Sequence, residues 1–200
     1  MKLRYSATSP YVRKVMMVAI ECGLESAIDK QPTDAWSPET DLPKDNPLSK
    51  VPTLILADGT TLFDSPVICE YLDTLHDGAR LFPAVGPDRW KALRLQALAD
   101  GLNDAAVALR LESVRPDGER SEKWMNRQRA AVLRSLDALE AEAGSLGETP
   151  TIGTIAVAAA LGYIDFRFAD LGWRETRPAL AHWFEPVSAR DSYRRTAPPT

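Results

Sequence analysis

Two hundred residues are enough for one large domain or two small ones with a true buried core. A formal net charge of −4 and a pI near 5.3 exclude a global attraction to nucleic-acid phosphates or anionic membranes. With 26% charged and 44% apolar residues, the chain reads as globular rather than disordered or fibrous.

Residues 2–6 alternate polar and apolar side chains and predict a short strand. Ser9 then suits a helix N-cap, and Pro10 suits the first helical position, where its missing N–H costs nothing. Val12, Val15, Met16, Ala19 and Ile20 recur at helical spacing, and Gly23 stops the helix. Residues 26–30 are a weaker second strand. Residues 31–47 are polar and carry four prolines (Pro32, Pro38, Pro43, Pro47), which predicts a loop with at most a short helix.

Residues 53–57 and 60–63 are two further strands, joined by Asp58-Gly59, a strong hairpin signal. Pro52 stands where the first of them begins, and proline within sheets is confined to strand starts and edges. A cis bond there would turn the backbone sharply and leave the N–H and C=O of Val51 facing outward. Such an edge suits an extended peptide lying alongside as one more strand. A plain loop-to-strand junction with a trans proline is the simpler alternative. Asp64-Ser65-Pro66 repeats the cap-then-proline device, and Val67, Ile68, Tyr71, Leu72 and Leu75 form the stripe of a second helix. The order β-α-β, loop, β-β-α is thioredoxin-like, with the first two strands parallel and the hairpin antiparallel.

Residues 78–86 read as a linker rich in Gly and Pro. Beyond it the strand signals vanish. Residues 87–112 form a long helical pattern on Trp90, Leu93, Leu95, Leu98, Leu102, Val107 and Leu109. Residues 119–143 form a second. Residues 155–169 are apolar on nearly every side, as in the central helix of a bundle. Residues 177–189 form a last helix, which Pro186 should kink or shorten. The expected organisation is an α/β thioredoxin-like domain over 1–77, the linker, and an all-α helical bundle over 87–200.

The two cysteines, Cys22 and Cys69, form no CxxC and no metal-like cluster, so both read as structural. His76 and His182 lack the spacing for a metal or triad role. The first ten residues lack the apolar run of a signal peptide, and no segment is long and charge-free enough to span a membrane. A reduced, cytoplasmic setting is the expectation.

Three motifs resemble a known family: Ser9-Pro10-Tyr11-Val12-Arg13-Lys14-Val15, then Asn46-Pro47-Leu48-Ser49-Lys50-Val51-Pro52, then Phe63-Asp64-Ser65-Pro66-Val67-Ile68. In this order and spacing the chain resembles a cytosolic, serine-type glutathione S-transferase over nearly its whole length. The resemblance implies a detoxifying enzyme that adds the glutathione thiolate to a small electrophile, as a homodimer using residues 65–76 and the first long helix. Ser9 would stabilise the thiolate, Lys50 would meet the glycyl carboxylate, and Val51 would exchange backbone hydrogen bonds with the cysteinyl part. Asp64 and Ser65 would hold the γ-glutamyl end. Glutathione is then a co-substrate, and neither a metal, a nucleic acid nor a membrane is implied. The second-substrate pocket would lie between Ser9 and residues 103–111.

Tyr5 is the main rival to Ser9, since some classes of that family use a tyrosine at the end of the first strand. Thr8 and Ser6 are weaker rivals. Two departures stand out: Thr151-Ile152-Gly153-Thr154 offers Thr where the family often has an acid, predicting a weaker cap, and Pro186 interrupts a helix. Two other readings share the fold: a non-catalytic binding or scaffold protein, and a glutathione-dependent peroxidase, isomerase or dehalogenase. Ser9 in place of Cys argues against a mixed-disulfide thioltransferase.

Overall fold

The computed structural model describes residues 1–199. The chain divides into two compact units: residues 1–89 together with the tail from Asp191 onward, and residues 90–190. In the first unit, β1 (Lys2–Tyr5) leads to α1 (Pro10–Glu21), β2 (Asp29–Pro32), β3 (Thr53–Ile55), β4 (Thr61–Leu62) and α2 (Ser65–Asp73). The sheet order is β2-β1-β3-β4. β1 and β2 run parallel across the α1 crossover, and β3 is antiparallel to both β1 and β4. This is the thioredoxin-like layout expected from the sequence.

Local chemistry explains the elements. The Val12 N–H donates to Ser9 Oγ at 3.3 Å, so Ser9 does cap α1. Gly23 at φ +70° ends it, its N–H donating to the Ile20 carbonyl at 3.0 Å. At the hairpin, the Leu56 N–H donates to the Thr60 carbonyl at 2.8 Å and the Thr60 N–H to Asp58 Oδ1 at 2.9 Å. Leu3, Leu54, Val15, Val18, Ile68 and Leu72 are fully buried between sheet and helices.

Several expectations are corrected. The second strand is 29–32, not 26–30, because Glu25–Ala27 forms a 3-10 turn. Pro32 is tolerated because β2 is an edge strand. The hairpin turn also draws residues 56–60 out of the ladder, leaving strands of three and two residues. The α2 stripe splits. Ile68, Cys69 and Leu72 are buried, whereas Val67 and Leu75 are 47% and 41% exposed. Residues 67, 71 and 75 lie four apart on the neighbouring stripe of a helix. The linker is tied down by Asp73, whose carboxylate accepts from the N–H groups of Leu81 (2.8 Å) and Phe82 (3.1 Å).

α3 (Gly86–Ser113) begins in the first unit and continues into the second, which adds α4 (Glu122–Glu142), α5 (Ile152–Arg167), α6 (Trp173–Thr176) and α7 (Pro178–Ser188). The buried stripe of α3 is Ala92, Leu95, Ala99, Leu102, Ala106 and Leu109, while Trp90 is 68% exposed, against expectation. Alanines on that stripe let α5 approach closely. A Cβ on Gly153 would stand 2.7 Å from the Ala92 carbonyl oxygen and 2.9 Å from Leu95 Cβ. Residues 152–164 of α5 are all buried, as its apolar surroundings require.

The α5 cap is complete rather than weakened. The Thr154 N–H donates to Thr151 Oγ1 at 3.2 Å and the Thr151 N–H to Thr154 Oγ1 at 2.8 Å. A hydroxyl thus does what an acid usually does at that position. Pro186 lies inside α7, which runs two residues beyond it, so only the last turn loses a backbone bond.

The expected 87–200 domain is corrected at its end. The tail, with α8 (Asp191–Arg194), packs on α1. The Arg13 guanidinium sits 4.0 Å over the Tyr193 ring and donates to the Tyr193 carbonyl at 3.1 Å. Arg195 pairs with Glu25. Among the described residues no single helix is long and apolar enough to cross a membrane.

Candidate functional site

The sheet register decides where the site lies. Arg4 pairs with Thr53, and Leu54 with Leu62. Following β1 forward past Tyr5, β3 backward past Thr53, and β4 forward past Leu62 therefore leads to one end of the sheet. Three segments meet that end: residues 6–9 entering α1, Lys50-Val51-Pro52 entering β3, and Phe63-Asp64-Ser65 entering α2. With strands about 4.8 Å apart, the three segments span roughly 10 Å. Both α1 and α2 start there, so the positive ends of two helix dipoles share it.

Ser9 is half-buried at the N-cap of α1, with φ −79° and ψ 123°. Its hydroxyl accepts from Val12 and keeps its own proton to donate elsewhere. Lys50 is exposed. The Val51–Pro52 bond is cis, and so is Phe63–Asp64. Among the described residues, the N–H and C=O of Val51 have no hydrogen-bond partner, although the strand that follows is paired to β1 along its length.

Ser65 opens α2 and is 1% exposed. Asp64 occupies the N-cap position, but its side chain makes no capping bond and stands exposed. The expected Asp64 cap is therefore corrected: the carboxylate is left for the solvent side of the site. Of the rivals, Tyr5 is half-buried with Lys30 Nζ 5.8 Å over its ring. Thr8 is exposed, its hydroxyl 3.4 Å from that of Ser6.

Sequence patterning missed the residues that shape this loop. Asn46, read only as part of a proline-rich loop and of the second motif, is buried and bonded to both Lys50 and Thr53. Arg4 reaches from β1 to Asp45 at 2.7 Å and also pairs with Asp41. Arg4 holds the Asp41 carboxyl below its ordinary range by hydrogen bonding. The only sequence signal was an Arg at an alternating position of β1, ahead of a loop with four acids (Asp34, Glu39, Asp41 and Asp45).

Away from this end, Cys22, Asp73 and His76 present ligand-type atoms within 4.8 Å of one another. His76 and Asp73 are already engaged in hydrogen bonds. His76 Nδ1 accepts from the Gly78 N–H at 3.0 Å, so its Nε2 carries the proton and donates to Asp73 at 3.1 Å. Burial, reinforced by the Asp73 and Glu21 charges, pushes the Cys22 thiol up to about 12. The group is a structural staple between α1, α2 and the linker.

Residues 8–75 match the glutathione S-transferase N-terminal domain and residues 122–185 the C-terminal domain. The GST-like protein YibF of Escherichia coli K12, itself uncharacterized, is 37% identical over 203 residues, covering 100% of this chain and 99% of that protein. A glutathione transferase family member from Pseudomonas fluorescens Pf-5, solved with bound glutathione, is 43% identical at a TM-score of 0.95, covering 100% of this chain and 99% of that one. A second structure from that organism, with bound S-(propanoic acid)-glutathione, is 42% identical at a TM-score of 0.92, with both chains covered in full. A glutathione S-transferase from Methylobacillus flagellatus KT with glutathione bound is 38% identical at 0.93, covering 99% of each chain.

Proposed function

The chain belongs to the glutathione S-transferase family, and we propose that it is an enzyme joining the glutathione thiolate to a small electrophile. One observation carries this reading: an unpaired backbone edge at Val51, on the same end of the sheet as Ser9 and Ser65. An extended tripeptide is about 10 Å long, which is the span of the three segments. Its cysteinyl backbone completes the bonds that Val51 lacks. Its glycyl carboxylate meets Lys50. Its γ-glutamyl carboxylate meets Ser65 and the α2 N-terminus, while the ammonium faces Asp64.

That pose brings the central sulfur toward Ser9. A free thiol has a pKa of about 8.5, so little of it is thiolate at neutral pH. The Ser9 hydroxyl donates to the sulfur while still accepting from Val12. With the α1 dipole, lowering the thiol pKa by ~2 units stabilises the anion by roughly 2.7 kcal/mol. The thiol proton leaves to solvent. The thiolate pair then forms the S–C bond, and the electrophile expels its leaving group or takes up a proton.

Conjugation is favoured among glutathione reactions because the Pseudomonas fluorescens relative holds S-(propanoic acid)-glutathione, a thioether. A thiol–disulfide route is disfavoured, since Ser9 cannot form a mixed disulfide and the Cys22 thiol is held neutral. A homodimer belongs to the same reading, supported by exposed apolar Val67 on α2, Leu75 just beyond it, and Trp90. Two buried cysteines that form no disulfide suit a reducing cytosol.

Calorimetry with glutathione, followed by assays against electrophiles and hydroperoxides, tests the proposal. Binding with turnover of electrophiles is expected. Binding without turnover of any substrate returns the chain to the non-catalytic role, and preference for hydroperoxides makes it a peroxidase.

A further inference from the structure

We infer that Asn46 is a positioning residue, which aims the N–H of Val51 at the ligand by anchoring the carbonyl of Lys50. This rests on the glutathione reading above. Asn46 is 1% exposed, and both N–H bonds of its amide are used. Nδ2 donates to the Lys50 carbonyl at 3.0 Å and to Thr53 Oγ1 at 3.0 Å, and Oδ1 accepts from the Leu48 N–H at 2.9 Å. Thr53 Oγ1 then donates to the same Lys50 carbonyl at 2.9 Å. That one oxygen receives two bonds from the interior.

The Lys50 C=O and the Val51 N–H belong to a single planar trans peptide unit, so they point in opposite directions. Fixing the carbonyl inward sends the Val51 N–H outward. Two buried polar side chains thereby hold a free donor in place before any ligand arrives. The clamp is itself anchored: the Asn46 N–H donates to the Leu42 carbonyl at 2.9 Å, its carbonyl accepts from the Ser49 N–H at 2.8 Å, and Arg4 fixes neighbouring Asp45 to β1. Ser49 completes the turn at φ +50°.

The chemistry demands an amide. Asn46→Asp keeps the shape and the Leu48 bond, but sets a carboxylate oxygen against the Lys50 carbonyl. Thr53→Val keeps the shape and loses the hydroxyl, whereas Thr53→Ser retains it. Measured by calorimetry and steady-state kinetics, Asn46→Asp and Thr53→Val should each raise the glutathione Kd and KM about tenfold. The kcat at saturating glutathione should stay within about twofold, because Ser9 stands on another segment, and Thr53→Ser should behave as wild type. Hydrogen exchange at α1 amides serves as the control for an intact fold. Wild-type binding with unchanged affinity in folded Asn46→Asp and Thr53→Val overturns the role of Asn46. A wild-type chain that takes up no glutathione overturns the function reading itself.

Discussion

Arg4 and Thr53 stand opposite each other in the β1–β3 ladder, and that pairing brings the start of α1 and the cis Val51–Pro52 junction to one end of the sheet. Slipping the register by one residue would turn every side chain of β3 to the other face, including buried Thr53. Position and chemistry of the site are thus set by the same ladder.

Ser9→Ala should cut turnover with little loss of glutathione affinity. In the proposed pose the hydroxyl acts on the charge of the sulfur and not on the peptide edge at Val51. Titrating the ultraviolet absorbance of bound thiolate should show its pKa rising toward the free value near 8.5. Losing the cap should also reduce stability by about 1 kcal/mol. Unchanged turnover would remove Ser9 from the mechanism.

Lys50→Ala should weaken glutathione binding only between about 1.5- and 5-fold, because an exposed charge pair contributes little. The difference from wild type should shrink as salt is added. Esterifying the glycyl carboxylate of the ligand should abolish it. If the ester discriminates between the two proteins as strongly as glutathione does, Lys50 has another partner.

The folded protein should be unreactive to thiol reagents near neutral pH. Cys22 and Cys69 are buried, and Cys22 is pushed up to about 12, by burial first and by Asp73 and Glu21 next. At pH 8 a thiol with that pKa holds on the order of 10³-fold less thiolate than a free one. The sign for stability follows from which state holds the proton. Above about pH 8.5 the unfolded chain releases a proton that the folded chain keeps, so the contribution of Cys22 is complete below that pH and is lost as pH rises toward 12. Counting reactive thiols should give none in the native state and two in denaturant. Rapid native labelling would contradict the burial.

Two glycines of the helical unit should respond oppositely to alanine. Gly153→Ala drives a methyl into the Ala92 backbone and should cost about 1–3 kcal/mol. Gly101→Ala meets nothing within 4 Å on exposed α3 and should gain about 0.5–1 kcal/mol. Denaturant titration of both variants would separate close helix approach from ordinary helix propensity.

What could be read from sequence was local. Ser9-Pro10, Gly23 and Asp58-Gly59 act within a few residues, and each does what its chemistry predicts. The helical half was legible because the apolar spacing along α3 and the all-round apolar surface of α5 persist over several turns. Features made by distant partners were not. Asn46 is silent until Thr53 and Lys50 fold back around it. Tyr193 finds Arg13 across 180 residues. Val67 and Leu75 look like core until a nine-residue helix has chosen Ile68 and Leu72 instead. The start of β2 was lost because a 3-10 turn over Glu25–Ala27 has no strong residue signature. At the site, residue types were legible from their motifs, while their convergence needed the strand register.

A crystal structure of this protein with glutathione tests the central claim most directly. The sulfur should lie within hydrogen-bond distance of Ser9 Oγ, with the cysteinyl backbone paired to the N–H and C=O of Val51. Glutathione bound with its sulfur remote from Ser9, or with Val51 still unpaired, would contradict it.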